Sequence, residues 1–277
     1  SRFEVVGYAV NALDAKNKLP LLKPDIMTLD IEMPGMTGLE FLKQVLPSHP
    51  VPVILVSSLN MRVFDALAAG AVDFVRKPEE GKRDAFLRSL KAKLAIGSNA
   101  HVRIPQPVAA PAPRTTASIP RVNSPSGTGT TGPIDLIAIG ASTGGTEAIL
   151  EVVRQFPARM PGIVITQHMP PGFTSMYAER LNRICKLEVR EAKHGDKVQP
   201  GLILLAPGGL QLRVVRIGVG YSITCTDEEK VSGHKPSVDV LFTSVASVVK
   251  NKAIGVILTG MGADGAAGML RMRKAGA

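Results

Sequence analysis

Three residues able to make and break acyl bonds stand at the same kind of place in this sequence. Ser142 follows the apolar run IDLIAIGA, His168 follows GIVITQ, and Asp264 follows AIGVILTGMGA. Each run reads as a buried strand, and polar residues at the carboxyl ends of neighbouring strands meet in space. A histidine next to a serine can take the hydroxyl proton, and a carboxylate behind the histidine fixes its tautomer. Taken alone, Asp264 reads as a helix N-cap and His168 as a structural histidine. Together, on sister strands, they complete a Ser–His–Asp set. The chain order Ser, His, Asp differs from the common α/β-hydrolase order, so the set predicts a separate hydrolase lineage. His49, His101, His194 and His234 lack such placement, although His194 and His234 could still line a site.

The turn after the first of these strands, Ser142-Thr143-Gly144-Gly145, supports a second reading. Gly140, Gly144 and Gly145 could form a dinucleotide-binding loop at a helix N-terminus. That reading requires an acid about 20 residues on, at the end of the next strand, to hold a ribose. The next strand ends in Gln167 and His168 instead. The cofactor reading loses its key residue, and the hydrolase reading gains a base.

A different chemistry is written near the N-terminus. DIMTLD ends at Asp30, VPVILVS at Ser57 and Ser58, and DFVRK at Lys77. A carboxylate, a hydroxyl and an ammonium at one sheet edge suit a phospho-acceptor: a nucleophile, a donor and a cation for the phosphoryl oxygens. Singly, Asp30 would cap a turn and Lys77 would be a solvated surface residue.

The elements that must position these residues alternate. Runs at FEVVGYAV, DIMTLD, VPVILVS and AVDFVRK read as strands, separated by helical stretches at ALDAKNKL, LEFLKQVL, FDALAAG and RDAFLRSLKAKLAIG. Residues 98–133 break the pattern with seven prolines and a Ser/Thr/Gly-rich second half, and read as a linker with a span of roughly 30–35 Å as a flexible coil. Alternation then resumes, with a hairpin-rich insert predicted over 187–226. The expected architecture is α/β with parallel sheets: a unit at 1–97, the linker at 98–133 and a second unit at 134–277.

Composition narrows the function classes. The 277 residues contain no apolar stretch long enough for a spanning helix, so the chain is expected not to be membrane-embedded. Two cysteines exclude a disulfide framework, and free thiols fit a cytoplasmic location. Net charge is +10, with +5 in 134–277, which suits an acidic partner. No zinc-finger spacing, Lys/Arg block or RNA-binding aromatic motif points to nucleic acid, and none is expected as a partner.

The segments TLDIEMPGMTG, VILVSS and AVDFVRKP resemble the receiver domain of bacterial response regulators. That resemblance implies phosphorylation of Asp30 by a histidine kinase, Ser57 as switch hydroxyl, Lys77 as the phosphate-contacting cation and a cis bond at Lys77–Pro78. Farther on, GASTGG, QHMP, APGG, KPSVDVLF and LTGMGADGA resemble the catalytic domain of the chemotaxis protein-glutamate methylesterases, the CheB family. The resemblance implies a flavodoxin-like receiver joined to a doubly wound methylesterase domain. Its activity would be hydrolysis of glutamate γ-methyl esters on chemoreceptors, with deamidation of receptor glutamines in many members.

By the same resemblance, Ser142 is the nucleophile, His168 the base and acid, and Asp264 the orienting carboxylate, with Thr143 and the Met261 N–H at the oxyanion. Catalysis needs no cofactor, whereas receiver phosphorylation in the complete family protein uses Mg²⁺. The sequence opens where a receiver's second strand is expected, so the metal-binding acids of the first strand are not in it, and it stops short of the family's last strand. The alternative is a receiver-based signalling or scaffold module with an inactive hydrolase domain. A transcriptional regulator is disfavoured because strands, not a helix-turn-helix, follow the linker.

Overall fold

In the computed structural model, residues 3–58, 61–78, 80–100, 133–260 and 262–277 are described. The N-terminal part is a parallel sheet, β1 (Met27–Asp30), β2 (Val53–Ser57) and β3 (Asp73–Arg76), in that order. Around it lie α1 (Ala12–Leu22), α2 (Gly38–Val45), α3 (Arg62–Ala68) and α4 (Arg83–Gly97). β2 lies between the other two and is almost wholly buried, as its continuous VILVS run dictates. At the start of α2, Thr37 and Glu40 form a reciprocal capping box directly after the strand end that carries Asp30.

Beyond the predicted linker, which lies mostly outside the described residues, the chain builds a five-stranded sheet. Its strands are β4 (Leu136–Ala141), β5 (Gly162–Gln167), β6 (Glu188–Glu191), β7 (Leu202–Leu205) and β10 (Ala253–Ile257). The order is β10-β4-β5-β7-β6, and every pairing is parallel. A two-stranded antiparallel ribbon, β8 (Gln211–Ile217) with β9 (Gly220–Thr226), stands apart from this sheet. Helices α5 (Gly145–Val153), α6 (Phe173–Ile184), α7 (Val238–Val248) and α8 (Ala266–Lys274) complete the layers. β4 and β5 are buried at every residue, so both faces of the sheet are covered. β4 has β5 on one side and β10 on the other, which makes its carboxyl end a topological switch point, the usual place for a site in an open α/β sheet.

Three expectations need correction. FEVVGYAV forms no strand: residues 3–9 carry no regular structure, and Val5 and Tyr8 are 87% and 77% exposed. β-branched composition favours a strand only where a neighbour offers a ladder, and among the described residues this segment pairs with none. The insert at 187–226 is hairpin only in its second half, since β6 and β7 are parallel members of the main sheet. The peptide bond at Lys77–Pro78 is not cis; among the described residues the cis bond is Lys235–Pro236.

The two sheets share one apolar cluster. Phe64 of α3 stacks on Tyr177 of α6 with ring centroids 5.5 Å apart, and Phe74 of β3 lies 4.6 Å from Phe173, the first residue of α6. Tyr177 is fully buried, and its hydroxyl donates to the Thr146 carbonyl at 2.6 Å, so the ring is anchored to α5. Arg180 is also buried. It pairs with Glu147 at 2.7 Å and lies over the Phe64 ring at 5.8 Å. Phe173→Ala should cost about 3–5 kcal/mol, the range for removing a fully buried phenylalanine. A urea titration reads this as a lower midpoint, and a loss below about 1 kcal/mol would contradict the packing.

Candidate active site

Ser142 leaves the end of β4 with its backbone held on both sides. Its N–H donates to the Thr259 carbonyl at 2.9 Å, beyond the end of β10. Its carbonyl accepts from the Gly145 N–H at 2.8 Å and from the Gln167 side chain, also at 2.8 Å. Gly144 turns the chain into α5 at φ +73°, a conformation that suits glycine. A Cβ on Gly260 would stand 2.6 Å from the Ser142 Cβ, so the neighbouring loop reaches the serine only because that residue has no side chain.

His168 follows β5 directly. Its Nδ1 is 2.9 Å from Ser142 Oγ, and its Nε2 is 2.7 Å from Asp264 Oδ2. An ionised carboxylate only accepts, so the proton belongs on Nε2 and Nδ1 presents a lone pair to the serine hydroxyl. In chymotrypsin the two ring nitrogens have the opposite assignment. Geometrically the line from hydroxyl to carboxylate is complete.

Asp264 is nearly inaccessible, with 2% of its side chain exposed. It sits at the amino end of α7. Oδ1 accepts from the Ser237 hydroxyl at 2.6 Å and the Asp239 N–H at 3.0 Å, and Oδ2 accepts from the Val238 N–H at 2.8 Å. Burial by itself would raise the carboxyl pKa. The hydrogen bonds from His168, Ser237 and the Asp239 and Val238 amides outweigh it and hold the group at about 2. The positive end of the helix dipole acts in the same direction. Ser237 is in turn fixed by its N–H to Gln211 Oε1 at 2.9 Å, and Gln211 Nε2 donates to the Glu229 and His234 carbonyls at 3.1 Å each.

That loop brings a residue sequence reasoning left unassigned. The His234 ring lies flat on His168, with centroids 3.6 Å apart and planes 8° from parallel. Burial and the neighbouring His168 push its pKa down to about 4. Between the strand ends is a cavity of about 80 Å³ lined by Ser142, His168, Val238, Thr259, Gly260 and Asp264. Small-molecule pockets are typically about 300–1,000 Å³, so this cavity is a small one. Thr143 is buried beside the serine, and its carbonyl accepts from the Thr259 hydroxyl at 3.2 Å. Met261, the other expected oxyanion contributor, lies outside the described residues.

The N-terminal set also converges. Lys77 Nζ is 2.5 Å from Asp30 Oδ2, and the Lys77 N–H donates to the Ser57 carbonyl at 2.8 Å. The Ser57 hydroxyl is buried and makes no hydrogen bond among the described residues. Glu32 accepts from Ser58 at 3.3 Å. No group of three or more metal-ligating side chains gathers anywhere among the described residues. Asp30 and Glu32 are carboxylates at this edge, and one or two carboxylates, with waters and phosphate oxygens, are the usual shell of Mg²⁺.

Residues 137–277 match the family model described as CheB methylesterase, and residues 1–86 match the response regulator receiver domain. A protein-glutamate methylesterase/protein-glutamine glutaminase of Syntrophomonas wolfei is 48% identical over 99% of this chain and 78% of its own length. A protein of the same name from Syntrophotalea carbinolica is 47% identical over the same shares. The chain belongs to the CheB methylesterase family. The crystal structure of the Thermotoga maritima CheB methylesterase catalytic domain aligns with a TM-score of 0.51 and 35% identity, covering 52% of this chain and 77% of that one.

Within this CheB chain, the structure brings Ser142, His168 and Asp264 together, and likewise Asp30 and Lys77. Sequence reasoning missed Gln167, Gln211 and Ser237. Gln167 was weighed only as the wrong residue for a ribose, and its polar side chain at the end of a buried strand was the available signal. Ser237 stands directly before the VDVLF helix as an N-cap candidate.

Acid should weaken the fold in two stages. The unfolded chain protonates His234 near 6.5 and the folded chain only near 4, so stability falls as pH drops through that window. Asp264 stabilises fully above about 3.8, and that contribution is lost as pH falls towards 2. Urea midpoints measured from pH 7 to 4 should fall less steeply for His234→Phe than for the parent. Equal slopes would contradict a neutral, half-buried His234.

Proposed function

We propose that Ser142, His168 and Asp264 carry out the protein-glutamate methylesterase and protein-glutamine glutaminase activity of this CheB-family chain. The hydrogen-bonded line through the three residues is the observation that supports this assignment. Ser142 Oγ attacks the ester carbonyl as its proton passes to His168 Nδ1. The imidazolium is held at Nε2 by Asp264. By the family resemblance, Thr143 and the Met261 N–H supply the donors for the tetrahedral oxyanion. Collapse expels methanol, which takes the proton from Nδ1. Water then attacks the acyl-enzyme with His168 again as base, and glutamate is released with Ser142 regenerated. Deamidation of a glutamine follows the same route with ammonia as the leaving group.

The remaining assignments belong to the same reading. Residues 1–97 are the receiver unit, 98–133 a linker and 134–277 the catalytic unit. Asp30 is the phospho-acceptor position, Ser57 the switch hydroxyl and Lys77 the phosphate contact. The phosphodonor is a chemotaxis histidine kinase, the substrates are methyl-accepting chemoreceptors, and the location is the cytoplasm. No helix among the described residues is long and apolar enough to cross a membrane. Asp30 and Glu32 would hold Mg²⁺ at the receiver, where the ion would neutralise phosphoryl charge; no step of the esterase reaction uses it.

The contact between the sheets supports a gating role. α6 begins at Phe173, five residues after His168, and Phe173 lies against Phe74 of the receiver. In this arrangement the receiver stands beside the edge that a receptor helix must approach.

Two outcomes test the assignment. Ser142→Ala should abolish methanol release from methylated receptor membranes, since loss of a catalytic serine costs up to about 10⁶ in turnover in subtilisin. Retention of more than about a tenth of parental activity would remove Ser142 as nucleophile. Proteolytic removal of the receiver within 98–133 should raise the rate towards receptors. An unchanged or lower rate in a folded catalytic unit would exclude inhibition by the receiver.

A further inference from the structure

His168 hydrogen-bonds at both ring nitrogens, Nδ1 to Ser142 Oγ and Nε2 to Asp264 Oδ2. Both bonds are made at the ring edge, and neither packs against the faces of the ring. A flat contact on the ring face supplies that packing. His234 makes that contact, at 3.6 Å and 8°.

The backbone of His234 is unusually well held for a loop residue. Its N–H donates to the Val231 carbonyl at 2.9 Å. Its carbonyl accepts from the Val231 N–H and from the buried Gln211 side chain, each at 3.1 Å. Gln211 also holds Ser237, which donates to Asp264. One buried amide therefore ties together the residue that covers the face of His168 and the residue that steadies its carboxylate partner.

We propose that His234 is a positioning residue for the esterase reaction: its ring, stacked on His168, holds the base in line between Ser142 and Asp264 and favours the imidazolium formed when the serine proton is transferred. This role rests on the triad reading above. An aromatic face attracts a cation placed over it, and His168 becomes cationic only after it has taken the proton. The interaction is therefore stronger in the transition state than in the resting enzyme, which is the condition for raising turnover. A protonated His234 would do the reverse. Its low pKa keeps it uncharged at neutral pH.

The test separates the aromatic face from mere space-filling. His234→Phe keeps a flat ring, His234→Leu keeps bulk without one, and His234→Met serves as a second apolar variant if Leu disturbs the loop. Each is made in the full chain, and melting curves normalise the folded fraction. Two rates are measured: methanol release from methylated receptor membranes, and labelling of Ser142 by a fluorophosphonate, which needs an activated serine but no receptor. The expected result is a roughly tenfold loss of kcat and of labelling rate for Leu or Met, with KM within about twofold. The Phe variant should stay within about threefold of the parent. Parental rates in the Leu or Met variant, or equal losses in Phe and Leu, would overturn the role. Ser142→Ala runs alongside. If it kept its turnover, the triad itself would fall and this role with it, an outcome distinct from an intact triad that ignores His234.

Discussion

The site depends on one buried charge. Asp264 has almost no access to water, and an unpaired carboxylate there would cost several kcal/mol. It is tolerated because the first turn of α7 offers it two backbone N–H groups and the Ser237 hydroxyl, with His168 completing the shell. The same bonds that keep it ionised fix its position. His168 is then held by the carboxylate, and Ser142 by the backbone on either side. If the α7 cradle were moved, the carboxylate would lose its solvation and the base its tautomer in the same event.

The strand ends were legible because their signal is local. LIAIGA and GIVITQ are continuous apolar runs, and the polar residue after each can only emerge at the sheet edge. The triad, the Asp30–Lys77 pair and the alternating α/β architecture all followed from that pattern. What lay beyond it depends on contacts between distant segments. Nothing in the spacing of Gln211, His234 and Ser237 shows that one amide bonds to both of the others. The stack of His234 on His168 joins residues 66 positions apart.

Two misread segments share a physical cause. The stretch 192–201 between β6 and β7 is shorter than the dozen or more residues a parallel crossover normally needs, and its Gly and Pro content imitates a hairpin turn. FEVVGYAV has the composition of a strand, but pairing is decided by a partner's free edge. Local sequence reports the preference of a segment, not the availability of a neighbour.

The order of the main sheet has a consequence for synthesis. Among the described strands of this sheet β4 comes first in sequence and its neighbour β10 last, with more than a hundred residues between their ends. Asp264 lies beyond β10, and its cradle on α7 has nothing to hold until that strand has docked. A nascent chain that has folded β4 through β7 therefore carries Ser142 and His168 but not yet the Asp264 carboxylate that bonds to His168. Closure over so long a loop belongs to the late stages of folding. Under the assignment proposed above, the set of three is completed only after the receiver, which precedes it in the chain, has been made.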